Sequence, residues 1–329
     1  MTKIQSLKDR APREIPPGAV FVLGYFDGVH LGHRALLGEA ARLGASLSAP
    51  AAVWTLEKPE SPGSCLTTAD EKCRLFLAYG ADYAVSDPFE EIRGMEGEEF
   101  FSSLIADRFR PAAVICGYNF TFGRGASCRA DDLRRFAEAR GIAVSVLDAV
   151  EADGAPVSST RIRALIARGG MEEAARLLGR PYFVDAPVVK GMRLGHALGF
   201  PTVNQRPPAE KLLPPRGVYV SLVRTETGER YEGVSNLGSR PTVNDDGEDV
   251  TLETTLFGNP GDLYGHKITT SLVKYLREEM RFSSLDALEE RIAKDADGAR
   301  AYWKTMKTRR ESTPAAMPED TAGKEEEAF

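Results

Sequence analysis

The pattern of apolar and polar positions divides the chain into two regions. From Gly18 to about Arg180, short apolar runs alternate with segments of helical periodicity. The runs have the length and the β-branched or aromatic content of buried strands: AVFVL, AAVWTL, YAVSD, AAVICG and IAVSVL. Helices are predicted for segments such as EEFFSSLIADRF, ADDLRRFAEARG and STRIRALIARGGMEEAARLLG. This alternation predicts an α/β fold with a doubly wound parallel sheet.

After Pro181 the pattern changes to strands of alternating polarity separated by turns. An antiparallel sheet or small β-barrel is predicted from YFVDAPVVKG, RGVYVSLVRTETGERYEGVSNLG, DVTLETTLFG and HKITTSLVKYLR. The segment SSLDALEERIAKDADGARAYWK predicts an amphipathic closing helix, and the polar tail from about Lys307, which ends in a glutamate run, predicts disorder. We therefore predict domains at 1–183 and 184–306 and a disordered tail at 307–329.

Composition narrows the class of protein. The chain has 329 residues, of which 42% are hydrophobic, and a formal net charge of -6. That charge argues against general nucleic-acid binding, which needs a basic face. Because no apolar segment resembles a signal peptide or a bilayer span, we expect a cytoplasmic protein that does not bind membranes. The cysteines form no CxxC pair, which argues against a zinc knuckle or a thioredoxin-type site, and Cys116 is expected to be a core thiol.

The stretch GYFDGVHLGH, residues 24–33, lies between the first apolar run and a helical pattern. At such a turn, backbone N–H groups and the positive end of a helix bind anions. His30 and His33 are spaced so that both can reach one phosphate and stabilise its negative charge. Gly28 and Gly32 would let a polyphosphate approach the backbone closely. A metal site is the weaker alternative, because no third ligand stands at helical spacing.

A second stretch, VSSTRIRALI at 157–166, also combines hydroxyl groups with arginines. Ser158 or Ser159 could cap the helix that follows. Alternatively, Arg161 and Arg163 could bind phosphate oxygens with their guanidinium groups. A third stretch, GYNFTFGRG, follows the run AAVIC, at the carboxyl end of a predicted strand where ligands bind in parallel sheets.

Together, GxFDGxHxGH and SSTRIR resemble the HxGH nucleotidyltransferase family and, within it, the prokaryotic bifunctional riboflavin kinase/FAD synthetases. The resemblance extends from about Gly18 to Trp303, and further motifs follow in family order: GYNFTFG, GRP, GFPTVN, GVY, NLGSRPT, DLYG and LREEMRF. It implies an N-terminal FMN adenylyltransferase domain and a C-terminal riboflavin kinase β-barrel. The implied activities are phosphorylation of riboflavin to FMN and adenylylation of FMN to FAD. The implied co-substrate is ATP, and the implied cofactor is Mg²⁺. The expected partners are the small molecules riboflavin, FMN and ATP alone. We expect the protein to be a monomer or a weak homo-oligomer.

The resemblance also assigns residues in the first domain. His30 and His33 would steady the α-phosphate of ATP, and FMN's own phosphate would be the nucleophile. The implied nucleotide- and phosphate-binding set is Gly24, Phe26, Asp27, Gly28, Gly32, Asn119, Ser159, Thr160, Arg161, Arg163, Gly191 and Gly195. The implied flavin-binding residues are Phe120, Phe122 and Arg277.

The tetrapeptide PTVN occurs twice in the second region, at 201–204 and 241–244. The first copy follows the glycine-rich KGMRLGHALGF, and Thr202 and Asn204 offer hard oxygen ligands suited to Mg²⁺; the resemblance favours the same copy. Glu253 is a candidate base for the riboflavin 5′-hydroxyl. Alternatively, Glu253 is an ordinary exposed glutamate of a strand. The resemblance favours its role as the base.

Two departures from the family pattern keep other functions open. Where the family has T-F-[DE]-P-H-P, this chain has TLEKPE, so that Lys58-Pro59-Glu60 replaces Pro-His-Pro; His196 stands where the family has arginine. One alternative is therefore a monofunctional riboflavin kinase with an impaired adenylyltransferase domain. The other is a non-catalytic flavin-binding regulator, against which the retained histidines, Arg163, Thr202, Asn204 and Glu253 argue.

Overall fold

The computed structural model describes residues 3–7, 14–58, 61–190, 202–240, 249–280 and 282–312. The chain forms two compact units, the first comprising Met1–Ser61 and Cys65–Ser159 and the second Pro62–Ser64 and Thr160–Phe329. Several positions singled out by the sequence analysis fall outside the described residues, namely Gly191, Gly195, His196, the second PTVN copy at 241–244, the Pro59–Glu60 pair and 313–329.

The first unit is built on a six-stranded sheet in the order β1-β4-β3-β2-β5-β8. The predicted parallel arrangement is confirmed for five strands, whereas β1, which the apolar pattern did not indicate, pairs antiparallel with β4. Strand β2 is fully buried, as its unbroken apolar run requires. The strands are β1 Lys3–Ser6, β2 Val20–Leu23, β3 Ala51–Glu57, β4 Tyr83–Pro88, β5 Ala113–Gly117 and β8 Ala143–Leu147.

The first unit also contains helices and two short hairpins. The predicted helix at EEFFSSLIADRF is interrupted by a π-helical segment, Phe100–Ala106, in which Phe100 and Ile105 are both buried. Positions five apart share a face where hydrogen bonds run from i to i+5, so this segment directs both side chains into the core. The helices are α1 Leu31–Leu47, α2 Ala69–Ala78, α3 Phe89–Ile92, α4 Gly97–Glu99, α5 Asp107–Phe109 and α6 Ala130–Glu138, and the hairpin strands are β6 Thr121–Phe122, β7 Cys128–Arg129, β9 Glu151–Ala152 and β10 Ala155–Pro156.

The second unit contains the predicted antiparallel barrel, which is closed in the order β11-β12-β15-β14-β13-β16. Val218, Val220 and Val234 pack against Ala296 and Ala299 of the closing helix α9, which covers this outer face. The strands are β11 Tyr182–Val189, β12 Thr202–Gln205, β13 Gly217–Arg224, β14 Arg230–Arg240, β15 Asp249–Leu256 and β16 Lys267–Glu278; the helices are α7 Ser159–Ala167, α8 Met171–Leu178 and α9 Leu285–Ser312.

Two helix predictions need correction. The segment STRIRALIARGGMEEAARLLG forms two helices, because the chain turns at Gly169, whose φ is +76°, before α8 begins. Helix α9 continues to Ser312, past Lys307, where the sequence predicted the start of a disordered tail. Among the helices of the described residues, none has the length and apolarity needed to span a bilayer.

Candidate active sites

The first candidate site lies where the strand order of the parallel sheet reverses. Strands β3 and β4 follow on one side of β2, and β5 and β8 lie on the other side. Ligands of such sheets bind at this reversal, beyond the carboxyl ends of the strands. The loop 24–30 leaves β2 there, and the loop 117–120 leaves β5. Both motifs thus border one cleft, with a volume of about 560 Å³.

The loop after β2 has a constrained backbone. Phe26 and Val29 have φ of 56° and 38°, values that non-glycine residues rarely adopt, and Gly28 has a φ of 83°. Gly24 leaves room for the Phe26 ring, since a Cβ at Gly24 would lie 2.9 Å from the ring's Cζ atom. Such strain persists only where the surroundings fix the conformation, and it concentrates at functional sites.

Asp27 holds this loop in place. Its side chain is 1% exposed, and its Oδ1 accepts hydrogen bonds from the Leu66 and Thr67 backbone N–H groups at 2.9 and 3.2 Å. The Gly28 N–H donates to the Thr67 hydroxyl at 2.9 Å, and the Ser159 hydroxyl donates to the Asp27 carbonyl at 2.8 Å. The Asp27 carboxylate therefore faces residues 66–67 and not the cleft, which makes it an anchor for the loop.

The two histidines lie at the start of α1. His30 is the N-cap, and its Nδ1 accepts a long hydrogen bond of 3.4 Å from the His33 N–H, so Nε2 carries the proton of the neutral ring. The two rings stack, with centroids 3.7 Å apart and an interplanar angle of 16°. A Cβ at Gly32 would lie 3.2 Å from Cε1 of His30, so the glycine makes room for that ring. The positive end of α1 adds to the attraction of an anion here.

Aromatic side chains form another wall of the cleft. Phe120 and Phe122 stack with centroids 5.7 Å apart, and Phe122 packs on Phe100 at 5.3 Å. Trp54 meets Phe100 edge to face, and its Nε1 donates to the Asp87 carboxylate at 2.6 Å. Flat aromatic walls with a few polar groups are typical of pockets that bind planar rings.

The structure separates the predicted first-site residues into two groups. Gly24, Phe26, His33, Asn119, Phe120 and Phe122 line the cleft. Asp27, Gly28, His30 and Gly32 support the loop or the His33 ring from behind. Sequence reasoning missed Trp54 as a lining residue, because it stands in an apolar run that predicts only a core strand. Its position near the carboxyl end of β3, beside β2, was the available signal.

The arginine-rich stretch at 157–166 begins α7. Ser159 is its first residue, and its hydroxyl bonds the Asp27 carbonyl as described above. Arg163 is half-buried, and its Nη2 donates to the Ser64 carbonyl at 3.0 Å. Thr160 is exposed and Arg161 is half-buried. The phosphate-binding roles of these residues stay predictions.

The second candidate site is created by strand register in the barrel. Glu253 on β15 stands directly opposite Asn204 on β12 and opposite Asn236 on β14. Residues opposite each other on neighbouring strands have Cβ atoms about 5 Å apart and lie on the same face of the sheet. Thr202, two residues before Asn204, shares that face. Sequence reasoning missed Asn236, because the pairing of β14 with β15 cannot be deduced from either strand alone.

This polar row faces outward from the barrel. The next residue, Thr254, is fully buried, and its hydroxyl bonds the Ser235 hydroxyl at 2.7 Å. Since side chains alternate along a strand, Glu253 points to the opposite, outer face of the barrel. The same outer face carries Val234, which packs against helix α9. Glu253 is half-buried and Asn204 is 4% exposed. A carboxylate on this face can meet a ligand without entering the core.

The row also has the donor chemistry that Mg²⁺ prefers. The Thr202 hydroxyl, the Asn204 amide oxygen and the Glu253 carboxylate are hard oxygen ligands. Across the part of the chain that the structure describes, no three His, Cys, Asp or Glu side chains cluster closely enough to hold a metal. Mg²⁺ is commonly held by one or two protein groups together with substrate phosphates, and this row offers such groups.

Arg277, the predicted flavin contact of the second unit, has a partner within the protein. Its Nη2 donates to Oδ2 of Asp295 at 2.6 Å, and its Nε lies 3.0 Å from the same oxygen. Arg291 Nε lies 3.2 Å from Asp295 Oδ1. The side chain of Asp295 is 7% exposed, so these contacts tie β16 to α9 through a buried carboxylate. A flavin role for Arg277 stays a prediction.

Comparisons with known proteins match both halves of the chain. A family model described as FAD synthetase matches residues 13–161, and one described as riboflavin kinase matches residues 178–303. The bifunctional riboflavin kinase/FMN adenylyltransferase of Pseudomonas fluorescens is 34% identical over 293 residues, covering 86% of this chain and 93% of that protein. The protein of the same description from Escherichia coli (strain K12) is 33% identical over 302 residues, covering 89% and 95%.

Among solved structures, a crystal structure described as a macrolide-efflux protein from Streptococcus pneumoniae matches with a TM-score of 0.76. It is 28% identical in sequence, and the match covers 90% of this chain and 97% of that chain. The curated relatives share more than 30% identity and are matched over nearly their whole length. The chain therefore belongs to the family of bifunctional riboflavin kinase/FMN adenylyltransferases.

Proposed function

We propose that the two units divide the two reactions of the family between them. As a member of that family, the chain is a bifunctional enzyme of flavin-cofactor biosynthesis, which phosphorylates riboflavin to FMN and adenylylates FMN to FAD, with ATP as co-substrate of both reactions. The observation that carries the division is the location of the candidate groups. His30 and His33 belong to the first compact unit, whereas Asn204 and Glu253 belong to the second.

In the first unit we assign adenylyl transfer to the cleft at the end of β2. An oxygen of the FMN phosphate forms a bond to the α-phosphorus of ATP, and the bond from that phosphorus to the β-bridging oxygen breaks, releasing pyrophosphate. His33 lines the cleft and is supported by the stacked His30 ring. His33 stabilises the growing negative charge electrostatically and His30 holds the His33 ring in position, so no protein nucleophile is needed. The aromatic wall is suited to a planar ring of either substrate.

In the second unit we assign riboflavin phosphorylation to the outward face around Glu253. Its carboxylate accepts the proton of the ribityl 5′-hydroxyl as that oxygen forms a bond to the γ-phosphorus of ATP, and the bond from that phosphorus to the β,γ-bridging oxygen breaks, releasing ADP. Thr202 and Asn204 would hold Mg²⁺, which when bound neutralises charge on the ATP phosphates. Asn204 lies opposite Glu253, so the group that holds the ion and the base are fixed by one strand pairing.

The boundary between the two functional domains is proposed at residue 183, with kinase residues at 184–306. Helix α8 lies before this boundary, yet it packs against β11 and β16 of the second unit and buries Met171 and Leu178. Two fragments test the boundary, 160–312 and 184–312. We expect both to phosphorylate riboflavin and the longer one to melt at a higher temperature, since removal of α8 uncovers apolar surface. An inactive 184–312 fragment beside an active 160–312 fragment would move the boundary to residue 160.

One assay tests the proposed function. The full chain is incubated with riboflavin and Mg·ATP, and riboflavin, FMN and FAD are separated chromatographically over time. Successive appearance of FMN and FAD is expected, and chelation of Mg²⁺ should stop both reactions. If FMN forms but FAD does not, even when FMN is supplied directly, the result would support the monofunctional kinase. If neither FMN nor FAD forms, the result would support the flavin-binding regulator. A cytoplasmic location and a monomeric or weakly associated state are likewise proposed, to be tested by fractionation and sedimentation.

A further inference from the structure

Lys58 stands at a position where the sequence departs from the family pattern. It directly follows β3, which ends at Glu57, and so lies at the carboxyl edge of the sheet. The family pattern has proline there, so family resemblance assigns the lysine no role. In the structure Lys58 is exposed and lines the cleft of the first unit.

Two aromatic rings hold the Lys58 ammonium. Its Nζ lies 4.8 Å from the ring centroid of Tyr25 and 4.8 Å from that of Phe89. These distances are within the range of cation–π attraction, which orients a cation without removing its charge. No carboxylate of the described residues lies within ion-pair distance of this ammonium.

The remaining charges of the cleft make Lys58 distinctive. Among the described residues that line the cleft there is no aspartate or glutamate, and the second lining cation, Arg93, pairs with Glu90 at 2.8 Å. Lys72 also lies over the Tyr25 ring, at 4.3 Å, but it is 6% exposed and is not part of the lining. Lys58 is thus a lining cation whose charge is available to an incoming anion, and ammonium groups bind phosphate oxygens well.

We propose that Lys58 is a substrate-positioning residue of the adenylyl-transfer cleft and that its ammonium binds a phosphate of FMN or of ATP. This role rests on the proposed function of the first unit. Tyr25 and Phe89 keep the ammonium at the cleft while the substrate is absent, so little side-chain freedom is lost on binding. Lys58 thereby supplies a positive charge that the family pattern does not provide at this position.

The test compares Lys58→Met with Lys58→Arg in the full chain. Methionine keeps a long apolar stem but loses the charge, whereas arginine keeps both. FAD synthesis is measured with FMN and ATP varied in turn. We expect Lys58→Met to raise the KM for one substrate by about tenfold, as for a lost charge-assisted hydrogen bond. The substrate affected identifies the phosphate, and the difference from the parent chain should shrink in high salt. We expect Lys58→Arg to stay within about twofold of the parent chain.

Arg42→Met is the matched control, because Arg42 is an exposed cation of the same unit that pairs with Glu39 at 2.8 Å outside the cleft lining. Its KM values should not change. Unchanged KM values in Lys58→Met, or equal impairment of the Met and Arg variants, would overturn the role of Lys58 and leave the proposed function standing. Absence of FAD synthesis in the parent chain would overturn both.

Discussion

The two candidate sites are constructed in different ways. The first lies at the ends of parallel strands and depends on one short loop, in which Phe26, Gly28 and Val29 adopt positive φ values. The second lies on the face of a barrel and depends on which residues of β12, β14 and β15 stand opposite each other. A loop site of the first kind is encoded in a contiguous motif. A face site of the second kind is encoded in strand register.

This difference predicts different sensitivities. The loop is held by buried hydrogen bonds to Asp27, so substitutions behind the cleft should disturb the first site. Register in a barrel is fixed by many strand contacts at once, since a slip of one residue would turn every side chain of a strand to the other face. Substitutions on the polar row of the second site should therefore change chemistry more than conformation.

The largest expected effect is that of Glu253→Gln on the kinase reaction. Glutamine keeps the shape and one acceptor but cannot take a proton, and loss of a general base typically lowers a rate by about 10²–10⁴-fold. Riboflavin binding should stay within a few-fold, and FAD synthesis from supplied FMN should not change. Fluorescence quenching measures riboflavin binding, and product chromatography measures the kinase reaction and FAD synthesis. Glu232→Gln, at a strand glutamate that pairs with Lys307, is the control. Near-normal turnover in Glu253→Gln would leave Glu253 as an ordinary strand glutamate.

The next effect is that of the histidines on FAD synthesis. Removal of a group that stabilises transition-state charge costs roughly 3 kcal/mol, or about a hundredfold in rate. We expect His33→Ala and His30→Ala each to reduce FAD formation by this factor while FMN formation from riboflavin continues. His266→Ala, at an exposed histidine beside Glu226, should change neither reaction. An equal loss of FMN formation in the His33 variant would show that the two sites are not separate.

A smaller effect concerns the anchor of the first site. Asp27→Ala leaves two buried backbone N–H groups without their acceptor, which should lower the free energy of unfolding of the first unit by about 1–3 kcal/mol. Urea titration followed by Trp54 fluorescence, in a Trp303→Phe background that removes the other tryptophan, measures the change. Asp27→Asn keeps an oxygen acceptor and should cost less, and Asp131→Ala, at a carboxylate whose side chain is 94% exposed, should cost almost nothing. Equal stability of Asp27→Ala and the parent chain would contradict the anchoring role.

The smallest effect is a difference in thiol reactivity. Burial raises the pKa of the Cys116 thiol to about 12, so at pH 8 almost none of it is the reactive thiolate. We expect iodoacetamide to leave Cys116 unmodified in the native protein and to modify it after unfolding, as measured by peptide mass spectrometry. Half-buried Cys128 should react earlier. Modification of native Cys116 at the rate of Cys128 would mean that β5, which leads into the aromatic loop, opens readily.

The sequence alone predicted the elements and the chemistry that depend on local pattern. Apolar runs bounded by turns placed the core strands of the parallel sheet, and alternating polarity placed the barrel, because burial on two faces and on one face leave different periodicities. The histidine motif was recognisable for a related reason. A helix start, a glycine that leaves room for a ring and two histidines one turn apart all lie within ten consecutive residues, residues 24–33.

Only the tertiary structure decided what depends on distant partners. Asp27 belongs to the same motif, yet its role follows from Leu66 and Thr67, to which its carboxylate is bonded. Asn236 joins Glu253 and Asn204 only through register, and Lys58 acquires its place through the rings of Tyr25 and Phe89. Periodicity reports which face of an element is buried, but not which other element covers it. Which element covers that face is determined by hydrogen bonds, strand pairing and side-chain packing between distant segments.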